Sequence, residues 1–80
     1  MSWYTYIIQC RDGTFYTGIT NNLKRRICEH NSGEGCRYTR CRYPVKLIHS
    51  EKYLTRAKAL KREAHIKALP RNKKSVLASD

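Results

Sequence analysis

Two runs of aromatic and β-branched residues, residues 3–10 (Trp-Tyr-Thr-Tyr-Ile-Ile-Gln-Cys) and 14–20 (Thr-Phe-Tyr-Thr-Gly-Ile-Thr), stand on either side of Arg11-Asp12-Gly13. Strand-favouring residues around an Asp-Gly turn commit the start of the chain to an antiparallel β-hairpin. Asn21-Asn22 then supplies a cap for a helix from Leu23 to about Asn31, and Ser32-Gly33-Glu34-Gly35 stops it. A basic, aromatic loop follows, with Arg37, Tyr38, Arg40, Arg42 and Tyr43 closed by Pro44, and it has room for a short helical turn. Val45 to Tyr53 reads as a third strand. Thr55 caps a long helix running to about Leu69, and Pro70 opens a final short helix through Ala78. The order β-β-α-loop-β-α-α predicts an α/β (α+β) fold, a small, mainly antiparallel three-stranded sheet flanked by helices. Eighty residues allow one domain over residues 1–80, which buries only about 60 % of the surface the unfolded chain exposes.

The chain carries 17 Lys plus Arg against 6 Asp plus Glu, a net charge of +11, while 40 % of its residues are apolar. The tyrosines and the regular aliphatic spacing separate it from disordered chains of similar charge. A field of this sign concentrates polyanions, and nucleic acid before a membrane surface, because no amphipathic Phe/Leu face accompanies the charge. No apolar run approaches the roughly 18 residues that span a bilayer. Residues 1–4 lack the charged start of a secretory signal, so a soluble cytoplasmic protein is expected.

Cys10, Cys28, Cys36 and Cys41 could form two disulfides in three connectivities, which the missing signal disfavours. Cys28 lies two residues before His30, and Cys36 and Cys41 enclose four residues, but zinc sites usually pair two such elements and no convincing second is present. Free, mostly buried thiols are the expectation.

On the first helix Leu23 and Ile27 make the apolar stripe, and Arg26 and His30 lie together along its border. Lys24, Arg25, Cys28 and Glu29 point elsewhere. On the long helix the apolar positions Ala57, Ala59, Leu60, Ala64 and Ile66 span a broad arc, and Glu63 falls inside it on a helix otherwise carrying only positive charges. Either it forms a surface pair with Lys67, worth about 0.3 kcal/mol, or it is aimed at the sheet, where a carboxylate needs a counter-charge or a metal ion. On the hairpin Tyr4, Tyr6 and Ile8 share a face, and Tyr16 precedes Thr17-Gly18, where a strand glycine marks a close backbone approach or a bulge.

Tyr4-Thr5-Tyr6, then Tyr16-Thr17-Gly18, Arg26 ten residues after Tyr16 with His30 on the next turn, and the lone helical Glu63 resemble the GIY-YIG nuclease domain over nearly the whole chain. The chain looks most like the small stand-alone bacterial members akin to the Slx-type catalytic domain, whose helix ends in Arg-x3-His before a Gly-rich, Arg-rich loop. It departs from the motif at Tyr4, where the family has Gly, and at Thr5 and Thr17, where it has Ile.

The resemblance implies cleavage of phosphodiester bonds in DNA, selective for structure rather than sequence. Glu63 would hold Mg2+ or Mn2+, with water and substrate phosphate as the other ligands. Arg26 would neutralise charge on the phosphoryl oxygens. Tyr6 would act as general base, Tyr16 would orient the attacking water or the phosphate, and His30 would assist proton transfer or position Tyr16. Which tyrosine is the base stays open. These side chains are expected to converge on one concave face of the sheet. Lys24, Arg25, Arg37, Tyr38, Arg40 and Arg42 would track the nucleic-acid backbone, with Lys73 and Lys74 further off. Asn72 follows the glutamate at a spacing that matches no family position. Charge and stacking tyrosines serve RNA as well as DNA, and a protein partner could supply targeting. The alternatives are a nucleic-acid-binding module with the same fold and little turnover, and a small zinc-stabilised interaction protein.

Overall fold

In the computed structural model, which describes residues 2–37 and 39–79, the elements are β1 (Trp3–Gln9), β2 (Phe15–Thr20), α1 (Leu23–Asn31), β3 (Lys46–Tyr53), α2 (Arg56–Lys67) and α3 (Arg71–Ser79). The strands form one antiparallel sheet in the order β2-β1-β3. Thr14 O and Cys10 N–H close the hairpin turn at 2.8 Å, and the Asp12 carboxylate accepts from both the backbone and the hydroxyl of Thr14. Asn22 and Thr55 cap their helices by accepting from Arg25 N–H and Lys58 N–H. The loop after α1 is a run of turns; one bond of α-helical type, Arg40 N–H to Cys36 C=O at 3.0 Å, is the short helical turn expected there. No helix among the described residues is long and apolar enough to cross a membrane.

Alternation along β1 sends neighbouring side chains to opposite faces of the sheet. Tyr6 and Ile8 pack with Cys10, Val45 and Tyr16 under Leu23 and Ile27 of α1. Thr5 points the other way, and its hydroxyl donates to Ala59 C=O of α2 at 2.8 Å, so α2 covers the second face. α3 is tied back to the hairpin: Arg71 donates to Gly13 C=O at 2.8 Å and lies 5.1 Å from the Phe15 ring centre.

Two expectations need correction. The broad apolar arc on α2 is narrower than its sequence suggests, because Ala57 and Ala64 are exposed and Leu60 is at 36 %, leaving Ala59 and Ile66 as the buried positions. A small helix pressed close to a three-stranded sheet has only one seam to bury, and Arg62 and Glu63 flank it. The cysteines are free, but Cys28 and Cys41 are exposed, Cys36 is half-buried and only Cys10 is buried. Cys28 sits on the outward side of α1 and Cys41 in the loop. Among the described residues no group of three or more His, Cys, Asp or Glu could hold a metal ion, so these residues do not form the cage that the zinc alternative requires.

Thr5 and Thr17, the two middle positions where the family motif carries Ile, both face α2. Thr5 is satisfied by Ala59, whereas the buried Thr17 hydroxyl has no hydrogen-bond partner among the described residues. An unsatisfied buried hydroxyl costs about 1–3 kcal/mol. The near-isosteric Thr17→Val is therefore expected to raise stability by about 1 kcal/mol in urea or thermal unfolding, and a destabilised variant would show that the hydroxyl is satisfied in solution.

Candidate active site

Tyr6 stands opposite Gly18 in the β1–β2 ladder, and its ring lies across that glycine. A Cβ at position 18 would come within 2.7 Å of the Tyr6 hydroxyl oxygen and 2.9 Å of the carbon bearing it. Gly18 is thus the opening through which the phenol of the central strand reaches over edge strand β2. The hydroxyl lies 3.0 Å from His30 Nε2 and is hydrogen-bonded by Arg26. Arginine can only donate, so the Tyr6 oxygen accepts from Arg26; of the two tautomers of His30, the one with a bare Nε2 receives the Tyr6 proton there.

That assignment leaves the His30 proton on Nδ1, which lies 2.7 Å from the Thr39 hydroxyl. The Thr39 hydroxyl in turn donates to Cys36 C=O at 3.4 Å. Tyr6, His30 and Thr39 are buried almost completely. Gly35 closes this pocket: any Cβ there would run into the His30 ring. Thr39 was not among the residues expected from sequence, because no helical or strand period connects it to His30, nine positions earlier. Gly35 was read as part of the helix stop and of the Gly-rich loop, not as a wall of this pocket.

Burial, and then the charge of Arg26, push the His30 imidazole down to about 4, against an opposing pull from Glu29. It is neutral at pH 7 and free to accept a proton at Nε2. The sign for stability follows directly. Below the unfolded value of about 6.5 the unfolded chain binds a proton that the folded chain refuses, so stability is flat above that pH. It falls by about 1.4 kcal/mol per pH unit until about pH 4, some 3 kcal/mol in all. Burial alone would raise the Glu51 carboxyl, but hydrogen bonds from Arg62, His49 and Tyr53 outweigh it and hold it at about 2, so its own loss begins only below about 4.5. Denaturant unfolding between pH 4.5 and 7.5 should show the decline, and His30→Gln should flatten it; an unchanged slope in that variant would assign the decline to other groups.

Burial also raises the Tyr6 phenol, against Arg26, which lowers it; Cys36 and Glu63 add smaller upward pushes. Tyr16 sits edge-on to His30 with ring centres 5.6 Å apart. Its phenol is pushed well up, by burial first and then by a hydrogen bond with Cys36. Both phenols are therefore protonated donors at neutral pH. Arg26 is shared, since it also pairs with Glu29 at 3.0 Å. Glu29 was expected to point away, but the i,i+3 spacing that joins these two was visible in the sequence.

Tyr6, Tyr16, Arg26 and His30 lie together on the α1 face. Glu63 does not share it, because α2 crosses the opposite face. At about 100° per residue Arg62 and Glu63 diverge to the two flanks of the Ala59–Ile66 seam; Arg62 takes the β3 side, where it bonds Glu51 at 2.8 Å, and Glu63 takes the β2 side. Its side chain is 19 % exposed, with Lys67 Nζ 3.7 Å away, and it is near enough to act electrostatically on the Tyr6 hydroxyl. The expectation of a single face is replaced by a meeting from both faces around edge strand β2.

Beside Arg26 a cleft of about 360 Å³ opens between Trp3, Ile19, Asn21, Arg25 and Glu29. Arg25 is steadied there by Asn21 at 3.0 Å. Lys24, Arg37 and Arg40 are exposed. Arg42 is drawn back to the hairpin turn, with Nε 3.1 Å from Asp12, so its expected role on the nucleic-acid backbone is weakened by a protein partner. Tyr38 lies outside the described residues. Lys73 is exposed, Lys74 half-buried and Asn72 exposed on α3. The network of His49, Glu51, Tyr53 and Arg62 on the second face was not anticipated; His49, Glu51 and Tyr53 alternate along β3, a period the sequence shows, and Arg62 joins them from α2.

The family model described as the GIY-YIG catalytic domain matches residues 2–75. The chain is similar to a UPF0213 protein of Natronomonas pharaonis, 48% identical over 77 residues that cover 96% of this chain and 91% of the relative. It is 53% identical to a UPF0213 protein of Desulfotalea psychrophila, over 95% of this chain and 70% of the relative. Among solved structures, a UPF0213 protein from Bacillus halodurans aligns with a TM-score of 0.63 and 42% identity over 99% of this chain and 84% of that one. A protein from E. faecalis aligns at 0.62 and 49%, covering 92% and 79%.

Proposed function

Because this chain belongs to the GIY-YIG family of nuclease domains, we propose that it is an endonuclease that hydrolyses phosphodiester bonds of DNA with a divalent cation, acting as one domain and selecting the structure of its substrate rather than its sequence. The observation that carries the reading is the Tyr6 hydroxyl, held between the Arg26 guanidinium and a neutral His30 with Glu63 in electrostatic range. The likeness of the Arg26-x3-His30 helix and its Gly-rich loop to Slx-type catalytic domains supports structure selectivity.

The donors present suit a mostly hydrated ion. Glu63 is a single half-buried carboxylate, the described residues offer no cluster of three ligands, and Mg2+ commonly takes one or two carboxylates with water and substrate phosphate. Bound there, Mg2+ or Mn2+ would supply Lewis acidity at the phosphoryl group.

The protein's own groups account for the proton and the charge. A raised phenol makes Tyr6 a poor base by itself, but its proton is already aimed at His30 Nε2. As water attacks phosphorus and the bond from phosphorus to the leaving sugar oxygen breaks, the water proton passes to the Tyr6 oxygen while the Tyr6 proton passes to His30, and the leaving oxygen takes its proton from solvent; Thr39 holds the imidazole in the tautomer that can receive the Tyr6 proton. Arg26 lies against charge developing on the phosphoryl oxygens, where a planar, permanently charged donor is well shaped. Tyr16, kept protonated, donates a hydrogen bond to the water or the phosphate.

Arg37 and Arg40 are expected to add sequence-independent affinity. Changing either to Ala should weaken binding of all sequences alike and lower the log–log salt slope on duplex by about 0.9 per lost contact; an unchanged slope would place the loop away from the interface.

The reading is tested by incubating the purified chain with single-stranded, duplex and forked DNA, and with matching RNA, in Mg2+ or Mn2+. Cuts clustered at the fork are expected. Binding of every form with cutting of none would favour the binding-module reading.

A further inference from the structure

Lys58, Lys61, Arg62 and His65 recur on α2 at i, i+3, i+4 and i+7, the spacing of one helix stripe. The stripe is centred roughly 150° around the helix from Glu63, on the flank that faces β3. With Tyr53, at the end of β3, these four side chains line a groove of about 360 Å³ whose walls are almost wholly carbon. The tyrosine ring and the aliphatic stems therefore form the walls, and the exposed Lys58 and Lys61 carry their ammonium heads toward water.

The groove is built in advance of any ligand. The Glu51 carboxylate accepts from the Tyr53 hydroxyl at 2.6 Å and from Arg62 at 2.8 and 3.2 Å. Arg62 also donates to His65 Nδ1 at 3.1 Å. The aromatic wall and the guanidinium are thus fixed, while Lys58 and Lys61 are exposed. None of these residues takes part in the chemistry assigned to Tyr6, and they lie at β3, the sheet edge opposite β2.

A fixed aromatic wall beside paired ammonium groups suits an unpaired base with its phosphates, since every base has a π-face and lysine grips phosphate as a point charge. A duplex keeps its bases inside and could offer only phosphates. We propose that this groove receives a nucleotide of single-stranded nucleic acid, the base against Tyr53 and the neighbouring phosphates on Lys58 and Lys61. The assignment rests on the nuclease reading and deepens it: a substrate with a duplex and a free single strand would engage the β2-edge site and the β3-edge groove at once.

The test is fluorescence anisotropy of labelled single-stranded and duplex oligonucleotides with the full chain, in chelating buffer so that no strand is cut, over a range of salt. Lys58→Ala with Lys61→Ala should lower the single-strand salt slope by about 1.4, from two lost contacts of about 0.7 each. Tyr53→Leu should weaken single-strand binding by roughly 5- to 150-fold and leave duplex binding nearly unchanged. Tyr53→Phe, which keeps the ring, should bind single strands like the wild type. The lysine pair is solvent-exposed, so its result stands even if Tyr53→Leu folds poorly. Unchanged single-strand affinity and slope in the lysine and leucine variants, with binding still sensitive to Arg37 and Arg40, would overturn the groove and leave the nuclease reading intact. No binding of either form by the wild type would overturn both. Equal loss of poly-glutamate and oligonucleotide binding in the lysine variant, with no effect at Tyr53, would mark a general site for acidic surfaces and overturn the nucleotide assignment.

Discussion

Glu63→Gln is expected to abolish Mg2+-dependent cleavage while DNA binding stays the same or tightens, because a negative charge facing phosphate is removed without loss of volume. Stability should hardly change. The only ion pair that Glu63 makes among the described residues is with Lys67 at 3.7 Å, with the lysine half exposed, and such i,i+4 pairs contribute only about 0.3 kcal/mol. A purely structural carboxylate predicts the opposite pattern, a modest loss of stability with cleavage intact. Cleavage, binding and thermal unfolding measured on this one variant separate the two, and cleavage at the wild-type rate would remove Glu63 from the site.

The second large effect is expected at Tyr6→Phe. The ring keeps its place over Gly18, but the hydroxyl that receives the water proton and passes its own to His30 is lost. General-base catalysis contributes about 10²–10⁴-fold, so the cleavage rate should fall by that factor with DNA affinity little changed. His30 Nε2 would also lose its partner inside the protein, at a cost of about 1–3 kcal/mol. A chemical role is distinguished from this structural one by Ile66→Val, which costs about 0.5–1.5 kcal/mol at a buried position of α2 outside the proton path. Because His30 receives the relayed proton, Tyr6→Phe and His30→Gln should both lose far more cleavage than Ile66→Val at comparable stability. Equal losses in all three would reduce Tyr6 to a support for the pocket.

The frame of this molecule was legible because its boundaries are set by local chemistry. Asp12-Gly13 turns the hairpin, Asn22 and Thr55 accept the first helical N–H groups, and Pro70 precedes α3; each acts within a few residues, and the observed elements begin and end within two residues of the expected bounds. The meeting of Tyr6 and Tyr16 was legible through strand alternation, and that of Arg26 and His30 through the helical turn. What sequence could not carry is the third dimension between elements. Thr39 reaches His30 only because the turn-rich loop folds back over α1, and Gly35 matters only because the imidazole lies against it. Glu63 was read either as a surface partner of Lys67 or as aimed at the sheet; it is half-buried with Lys67 3.7 Å away, and the spacing says nothing of which face α2 covers. The place of Arg62 in the Glu51 network was hidden for the same reason, since its bond joins α2 to β3 across eleven positions. The apolar arc of α2 was overread because alanine is as common on an exposed helix flank as in a seam.

The central claim is that this chain breaks phosphodiester bonds by a cation-dependent reaction at Tyr6, Arg26 and Glu63. Its most direct test is single-turnover cleavage of an end-labelled forked oligonucleotide by the wild-type chain, first in chelator and then after adding excess Mg2+ or Mn2+. The account predicts an intact strand in chelator and a discrete product after the cation is restored. A strand that stays intact in both conditions while bound to the protein, or one cut equally in both, would contradict it.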